Sequence, residues 1–241
     1  MVNNVIPFTP LGFMRSPYKQ KFAIPRQPNL VREAVGEIHF LPEYADANGL
    51  RDLDSFSHLW LLFVFHESAD QGWSATVSPP RLGGNKRTGV FATRSMFRPN
   101  PIGLSVVEYD GWEQRGQSLV LTVRGIDMLD GTPILDIKPY LPYADMLPHA
   151  SGGFAQEAPP ATLSVWFSNE AQVQLAGFVL QHPELEAFIR AVLQQDPRPA
   201  QHVRQQTARS FAMRLYDLNI RWRVKDAACE VLSIERWSGT D

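Results

Sequence analysis

A cluster of polar side chains near the middle of the sequence contains residue types that bind ligands. Thr93, Arg94 and Ser95 are followed by Arg98 and by Asn100, which lies between two prolines. Each proline fixes its own φ angle and restricts the residue before it, so this part of the loop is stiff. Two guanidinium groups, two hydroxyls and an amide on a stiff loop present fixed donors to an anion or a base. Either arginine alone is more typical of a turn that faces water, but the whole cluster favours a ligand site.

A second polar pair, His66-Glu67, follows the longest apolar run in the sequence, residues 59–65. The run has no alternation of apolar and polar residues, which predicts a strand covered on both faces. Polar groups at the end of such a strand are common in ligand sites. Taken alone, His66 is more typical of a hydrogen-bonded histidine that only caps the strand.

Two turns carry further polar groups. Residues 81–87, Arg-Leu-Gly-Gly-Asn-Lys-Arg, form a glycine-rich loop that could bind a phosphate, although Gly-Gly-Asn is also typical of a hairpin. Residues 130–133, Asp-Gly-Thr-Pro, form a turn before a predicted strand over 134–140. Alternation places Asp136 and Lys138 on the same face of that strand.

Short apolar segments surround these residues and must position them. Strands are predicted over 11–16, 35–41, 59–65, 118–126 and 134–140. Beside the stiff loop, residues 90–92 are predicted to end a buried strand, and Ile102, Leu104 and Val106 to form the core-facing side of the next one. No long helix is predicted before residue 143, so the pattern indicates an all-β sheet or barrel.

The composition changes at residues 150–161, which are rich in Gly, Ala and Pro and are interpreted as a linker. The sequence therefore predicts two domains in a mainly β protein. Residues 1–150 form a β-domain, and residues 151–241 form a small α+β domain.

In the second domain, a strand is predicted over 162–167, with Ser168 as the N-cap of a helix over 170–180. A second helix follows, and its apolar face is made by Leu185, Phe188, Ile189, Val192 and Leu193. A pair of strands over 211–225 and 230–237 completes this domain.

Charge is unevenly distributed along the chain. The composition, with 44% hydrophobic and 20% charged residues, is that of an ordinary globular protein. The net charge of -2 argues against a protein that binds nucleic acid over its whole surface. No acidic residue lies between Asp70 and Glu108, a stretch that contains Arg81, Lys86, Arg87, Arg94 and Arg98. A second basic stretch runs from Arg198 to Lys225. Two such stretches indicate a polyanionic partner, although each alone is about as consistent with a solvated surface.

Several expectations concern what is missing. Cys229 is the only cysteine, which excludes an intrachain disulfide and fits a reducing compartment. With no apolar leader and no apolar run of about 20 residues, the protein is expected in the cytoplasm. The histidines are too scattered for a recognisable metal spacing, so no metal site is predicted. No nucleotide-binding glycine fingerprint or nucleophile elbow is found.

Several motifs occur in order along the chain: Pro25-Arg26-Gln27, Phe56-Ser57-His58-Leu59-Trp60, Arg81-Leu82-Gly83-Gly84-Asn85, Ala92-Thr93-Arg94-Ser95, Arg98-Pro99-Asn100-Pro101 and the run from Asp130 to Tyr140. In this combination the chain resembles the TrmO-type tRNA methyltransferases. The C-terminal part resembles the extra domain of the longer bacterial members, with an accessory, tRNA-binding role. The resemblance implies a single-sheeted β-barrel, a homodimer and S-adenosylmethionine as cofactor. It also implies methylation of N6 of N6-threonylcarbamoyladenosine at position 37 of tRNA.

The resemblance further implies the residues that bind S-adenosylmethionine: Pro25, Arg26, Gln27, His66, Glu67, Arg94, Leu104, Asp130, Gly131, Thr132 and Pro133. Glu67 departs from the family pattern, in which a glutamine is expected, but a carboxylate can still accept hydrogen bonds from ribose or adenine. The residues interpreted as binding the modified base or the tRNA are Lys86, Arg87, Arg98, Asn100, Arg198 and Arg221. Either Arg94 or Arg98 could bind the threonyl carboxylate through two parallel hydrogen bonds.

The N6 nitrogen must lose a proton during or after attack, which requires an acceptor. Asp136 is the candidate, with the threonyl carboxylate of the substrate or a water molecule as alternatives. Asp136 beside Lys138 is equally typical of a surface ion pair. Two other functions stay open: a non-enzymatic RNA-binding barrel and a small-molecule-binding regulatory protein. A plain RNA binder should show exposed aromatic residues at alternating strand positions, whereas the aromatic residues here lie mostly in apolar runs.

Overall fold

The computed structural model of the protein describes residues 6–84, 86–198 and 209–239. The strands are β1 (Gly12–Arg15), β2 (Val35–Phe40), β3 (His58–Val64), β4 (Thr76–Val77), β5 (Thr88–Gly89), β6 (Ile102–Arg115), β7 (Ser118–Arg124), β8 (Pro133–Pro139), β9 (Ser164–Phe167), β10 (Ser210–Leu215), β11 (Leu218–Lys225) and β12 (Ala228–Arg236). The α-helices are α1 (Pro142–Asp145), α2 (Asn169–Ala176) and α3 (Leu185–Gln194). None of these helices is long and apolar enough to cross a membrane. Asn85 of the glycine-rich loop and residues 199–208 of the second basic stretch lie outside the described residues.

The N-terminal strands pair in a ring with the order β1, β2, β7, β6, β3 and β8, which closes as a barrel. Closure occurs because Gly12 of β1 pairs with Phe40 of β2 on one side and with Ile134 of β8 on the other. All the pairings in the ring are antiparallel. A closed ring leaves no strand edge free to pair with another chain. The prediction of a mainly β protein is confirmed.

β3 has two different faces. Leu59, Leu61 and Phe63 point into the barrel and are buried, whereas Trp60 and Leu62 point outward and are partly exposed. The prediction that this strand is covered on both faces is therefore wrong for the described chain. An unbroken apolar run did not indicate two covered faces here, because its outward-facing residues form an apolar outer surface on the barrel.

β6 presents the face opposite to the predicted one. Gly103 and its inward-facing neighbours are buried, whereas Ile102 and Leu104 point outward and are exposed. The prediction that Ile102, Leu104 and Val106 face the core is thus wrong. Gly103 pairs with Phe63, and a Cβ atom at Gly103 would lie 2.2 Å from Cζ of Phe63. The inner position therefore has room only for glycine, because the aromatic ring fills it.

Residues 90–92 form a 3-10 turn, which corrects the prediction of a buried strand end. β5 ends at Gly89, and after it Val90 alone is buried, while Phe91 is 73% exposed. The turn is closed by Thr93, whose hydroxyl donates to the carbonyl oxygen of Val90 at 2.8 Å. This side-chain bond offers the backbone an alternative to the strand ladder.

The C-terminal part contains a four-stranded sheet in the order β10, β11, β12 and β9, with β9 parallel to β12. The predicted apolar face of α3 is buried at Leu185, Phe188, Ile189, Val192 and Leu193. Ser168 caps α2 by accepting from the N–H of Ala171 at 3.1 Å, as predicted, although α2 ends at Ala176 and not at residue 180. The predicted strand pair is a three-stranded meander, because Tyr216, with a φ of 54°, turns the chain between β10 and β11.

The two parts pack against each other around Tyr18. This side chain is fully buried, and its ring centroid lies 5.7 Å from that of Phe188 in α3. The N–H of Tyr216 donates to the carbonyl oxygen of Pro17 at 2.8 Å. These contacts join the barrel and the C-terminal sheet through one continuous apolar core.

We expect Gly103→Ala to destabilise the protein. The added methyl group would clash with the buried ring of Phe63, and overpacking of this kind costs about 1–3 kcal/mol. Gly49→Ala is the matched control, since a Cβ atom at Gly49 has no neighbour within 4 Å. Urea unfolding of both variants and the wild type measures the change. Equal free energies of unfolding for the two variants would contradict the packing shown here.

Candidate active site

The chain before β2 crosses one end of the barrel between β6 and the residues that follow β7. At the crossing, the N–H of Asn29 donates to the carbonyl oxygen of Gly125 at 2.8 Å, and Nδ2 donates to that of Val106 at 3.0 Å. Asn29 has a φ of 63°, a left-handed conformation that asparagine adopts more readily than most residues. The crossing brings residues 25–27, which were predicted to bind the methyl donor, to this end of the barrel.

Arg94 connects the stiff loop to this segment. Its Nη1 donates to Oε1 of Gln27 at 2.6 Å, and Nε2 of Gln27 donates to the carbonyl oxygen of Arg26 at 2.5 Å. Arg26 and Arg94 are both exposed, whereas Pro25 is buried. Two segments that the resemblance assigned to one site, 67 residues apart in sequence, are therefore in direct contact.

A second contact joins the residues after β3 to the chain before β2, at Lys21. His66 and Glu67 begin a 3-10 turn, and Oε2 of Glu67 pairs with Nζ of Lys21 at 3.1 Å. Lys21 also donates to the carbonyl oxygen of Glu67 at 3.3 Å. The carboxylate that replaces the expected glutamine thus has a lysine partner that offsets its charge.

The Asp-Gly-Thr-Pro turn before β8 is held by bonds within the protein. Oδ1 of Asp130 accepts from the N–H of Ser16 at 2.9 Å, and Oδ2 pairs with Nζ of Lys19 at 2.7 Å. Thr132 is buried, and its hydroxyl donates to the carbonyl oxygen of Leu129 at 2.7 Å. The Asp130 carboxylate and the Thr132 hydroxyl proton are therefore already used in positioning this turn.

Leu104 and Asp136 lie on the outer face of the barrel. Leu62 of β3 lies between them, because it pairs with Leu104 on one side and with Asp136 on the other. Leu104 is 50% exposed. Oδ2 of Asp136 pairs with Nζ of Lys138 at 2.8 Å, and Oδ1 accepts from the N–H of Ile137 at 2.8 Å. Both oxygens of Asp136 are thus engaged within the protein.

Arg98 supports its own loop. Its Nη1 donates to the carbonyl oxygens of Thr93 at 2.7 Å and Val90 at 3.2 Å, and its guanidinium lies 5.7 Å from the ring centroid of Phe91. These bonds fix the chain on the N-terminal side of Arg94. Arg98 therefore acts first as a positioning residue in this structure.

Two other cations predicted to bind tRNA also have partners within the chain. Nε of Arg87 donates to Oγ1 of Thr76 at 2.7 Å. Arg198 makes two bonds of 2.7 Å to the carboxylate of Asp196. The remaining residues of this predicted group are exposed: Lys86, Asn100 and Arg221. Over the described ranges, no group of three or more His, Cys, Asp and Glu side chains could hold a metal ion.

Asp127 lies at the same end of the barrel, and the sequence-based prediction missed it. Its Oδ1 accepts from the hydroxyl of Ser105 at 2.6 Å, and Ser105 is a buried residue on the inner face of β6. Burial raises the pKa of Asp127 to about 6, whereas the Ser105 bond, a bond from its own backbone N–H and the charge of Arg94 lower it. In the part of the chain that the structure describes, no cation forms an ion pair with this carboxylate. Its position shortly before the Asp-Gly-Thr-Pro turn was the only signal in the sequence.

Comparison with known proteins relates this geometry to a family. The family model described as the tRNA-methyltransferase O N-terminal domain matches residues 13–146, and the TrmO C-terminal domain matches residues 160–237. The chain is 52% identical to the tRNA (adenine(37)-N6)-methyltransferase of Escherichia coli K12, over 95% of this chain and 97% of that protein. It is 45% identical to the enzyme of the same name from Eikenella corrodens, over 71% of this chain and 92% of that protein.

A solved structure gives the same result. The crystal structure of TrmO from Pseudomonas aeruginosa matches with a TM-score of 0.78 and 38% sequence identity, over 95% of this chain and 98% of that chain. A mainly β fold and matches to both domain models define a tRNA methyltransferase family. The chain belongs to the tRNA-methyltransferase O family, and the resemblance inferred from its motifs is confirmed.

We expect Asp127→Asn to gain stability relative to the wild type as the pH rises. In the folded protein the carboxyl keeps its proton up to about pH 6, whereas its ordinary pKa is 3.8. Because the folded state binds this proton more tightly than the unfolded state, the wild type loses stability between these two values, and the neutral amide does not. The difference in Tm between the two proteins should therefore grow from about pH 4 to about pH 7. A difference that stays constant across this window would contradict the raised pKa.

Proposed function

We propose that the protein methylates N6 of N6-threonylcarbamoyladenosine at position 37 of tRNA, with S-adenosylmethionine as the methyl donor. The observation that carries the proposal is the 52% identity to a tRNA (adenine(37)-N6)-methyltransferase over 95% of the chain. The threonylcarbamoyl group is the finer part of the proposal. It is supported by the exposed guanidinium of Arg94 at the site, since arginine binds carboxylates through two parallel hydrogen bonds.

The proposed donor site comprises Pro25, Arg26, Gln27, His66, Glu67, Arg94, Leu104, Asp130, Gly131, Thr132 and Pro133. S-adenosylmethionine supplies a methyl group on a positively charged sulfur. The residues at this end of the barrel fit its chemistry, because Gln27 and Arg94 offer an amide and a guanidinium for its carboxylate and adenine. Asp127 adds a carboxylate without a cation partner among the described residues, which favours a ligand that carries positive charge.

The main task of the chain is to align the base with the donor. Holding two reactants in line can lower a barrier by about 7–11 kcal/mol. The loop that carries Arg94 is held by the bonds of Arg98 to Thr93, and Gln27 is positioned by the crossing at Asn29. In these contacts the Arg98 and Asn29 side chains bond to backbone carbonyl groups, so the loop and the crossing are tied to the main chain.

A proton acceptor is needed because N6 of the modified base carries a hydrogen. Asp136 is the acceptor proposed from the sequence, with the threonyl carboxylate and water as alternatives. To act, Asp136 would have to leave Lys138 and the N–H of Ile137. An exposed ion pair costs little to break. Asp127 is a competing carboxylate inside the barrel end.

We assign tRNA binding in part to the C-terminal domain, residues 151–241, and the methyltransferase site to residues 1–150. Along β11, Arg221, Arg223 and Lys225 are exposed and alternate with buried residues, so they form a basic row on one face of the sheet. Arg223 pairs with Glu230 at 2.5 Å, whereas Arg221 has no ion pair within the described ranges. Arg221 is therefore free to contact a phosphate.

A homodimer is also proposed. The outer face of β3 and β6 presents a partly exposed apolar surface: Trp60, Leu62, Val64, Ile102 and Leu104. A surface of this kind is typical of an interface, and a second copy of the chain could cover it.

A cytoplasmic location stays a prediction from the sequence.

The substrate assignment is tested with isotope-labelled donor and tRNA from cells with and without the threonylcarbamoyl modification. Nucleoside mass spectrometry should find the labelled methyl group only on the modified adenosine. Equal labelling of both tRNAs would contradict the requirement for the threonylcarbamoyl group. No labelling of either would favour an RNA-binding or regulatory protein.

Arg221→Ala should weaken tRNA binding and reduce its dependence on salt. Removing one phosphate contact should lower the slope of log K against log salt by roughly 0.7–0.9. Arg51→Ala is the matched control, because Arg51 is an exposed arginine whose Nη2 donates to Asn48 at 2.7 Å in the N-terminal part. Filter binding at several salt concentrations measures both slopes. Identical slopes in the two variants would show that Arg221 does not contact tRNA.

A further inference from the structure

We propose that Asp127 is the catalytic base of the methyl transfer. It takes the N6 proton on a carboxylate lone pair that does not accept from the Ser105 hydroxyl. The inference rests on the proposed function. It assigns the proton to a residue outside the set implied by the family resemblance, and it replaces Asp136 in that role.

The position of Asp127 follows from the separation of β6 and β7. The ladder between these strands ends at Glu108 opposite Arg124. Continued by three residues, it would place Asp127 opposite Ser105, and the two side chains still meet, with Oγ to Oδ1 at 2.6 Å. Asn29 fills the intervening gap through its bonds to the chain on both sides. Asp127 is therefore held at the same opening that carries residues 25–27.

The carboxylate has unused acceptor capacity. An ionised carboxylate can accept about four hydrogen bonds, and the Ser105 hydroxyl is its only side-chain donor among the described residues. Asp130 differs, because Lys19 and the N–H of Ser16 occupy both of its oxygens. Asp127 as a whole residue is partly exposed, so it borders the opening through which a substrate N–H would approach.

The charged and titratable groups that face Asp127 are few. Arg94 lies close enough on the stiff loop for its charge to lower the pKa of Asp127. Tyr18, after β1, is buried, and its hydroxyl has no hydrogen-bond partner in the described chain. Burial, and then the charge of Asp127, raise the pKa of Tyr18, so this phenol stays neutral. Burial is the dominant effect on Asp127 itself and gives a pKa of about 6, which suits a base that works near neutral pH.

Asp136 lacks these features. It lies on the outer face of β8, and Lys138 holds its carboxylate at 2.8 Å. The N–H of Ile137 occupies its other oxygen. A carboxylate paired with a lysine is a weaker proton acceptor, because the cation favours the ionised form.

Charges and electrons balance in the proposed step. The lone pair of N6 forms the bond to the methyl carbon, and the electron pair of the broken sulfur–carbon bond remains on sulfur. The N6 proton passes to Asp127, which becomes neutral as the sulfonium loses its charge. Asp127 then returns the proton to solvent, so no further reactant is consumed.

The test measures kcat at saturating donor and tRNA as a function of pH. In the wild type, kcat should rise with pH through the pKa of Asp127, because only the ionised carboxylate accepts the proton. Asp127→Asn should lower kcat by about 100-fold or more while the Kd for tRNA changes little. Glu113→Gln is the matched control and should keep the wild-type kcat, since Glu113 is an exposed carboxylate toward the other end of β6 that pairs with Arg115.

Ser105→Ala gives a second readout that a purely structural role of Asp127 would not produce. The Ser105 bond lowers the pKa of Asp127, so its loss should raise that pKa and move the acid limb of the kcat profile to higher pH. A carbon-13 NMR titration of the Asp127 carboxyl, in protein without donor or tRNA, should show a shift in the same direction. If Ser105→Ala raises the Asp127 pKa measured by NMR but leaves the acid limb of the kcat profile unchanged, Asp127 is not the catalytic base.

Two further outcomes separate this inference from the proposed function. An active wild type whose kcat survives Asp127→Asn, or whose acid limb is lost only in Asp136→Asn, would overturn the role of Asp127 alone. A wild type that transfers no methyl group to threonylcarbamoylated tRNA would overturn the proposed function and this inference with it.

Discussion

The insertion of Asn29 between β6 and the chain after β7 is the contact on which the site depends. It replaces the last rungs of a strand ladder with two hydrogen bonds, to Gly125 and to Val106. Gly125 has a φ of 73°, and a Cβ atom there would lie 2.3 Å from Oδ1 of Asn29, so the crossing requires glycine at this position. Because the ladder opens here, residue Asp127 is partly exposed although its neighbours Ile126 and Met128 are buried.

The same end of the barrel gathers segments that are distant in the chain. Gln27 meets Arg94, and Lys21 meets Glu67, through side-chain bonds at this end of the closed ring of strands. The loop between β5 and β6, residues 90–101, carries two prolines, so it has little freedom once these bonds form. The site is therefore positioned by these side-chain bonds and by the stiff loop, with exposed guanidinium groups left for ligands.

The arginines show how one residue type takes different roles. Arg98 is used within its loop and Arg198 is held by Asp196, whereas Arg94 and Arg221 stay exposed. Counting positive charges in the sequence identified both basic stretches, but it could not separate these roles. The partners decide them, and those partners are backbone carbonyls and carboxylates placed by the fold.

The sequence by itself determined the mainly β class, the family, the N-cap at Ser168 and the buried face of α3, because each is a local pattern or an ordered set of motifs. The family resemblance also assigned residues 25–27 and Arg94 to one site, and Gln27 and Arg94 are in contact. The sequence pattern assigned the wrong face of β6 to the core, since a shift of one residue reverses every side chain and only the ring of Phe63 against Gly103 fixes the choice. Only the tertiary structure identified Asp127, because burial and the nearby Ser105 and Arg94 set its proton affinity, and no spacing along the chain encodes them.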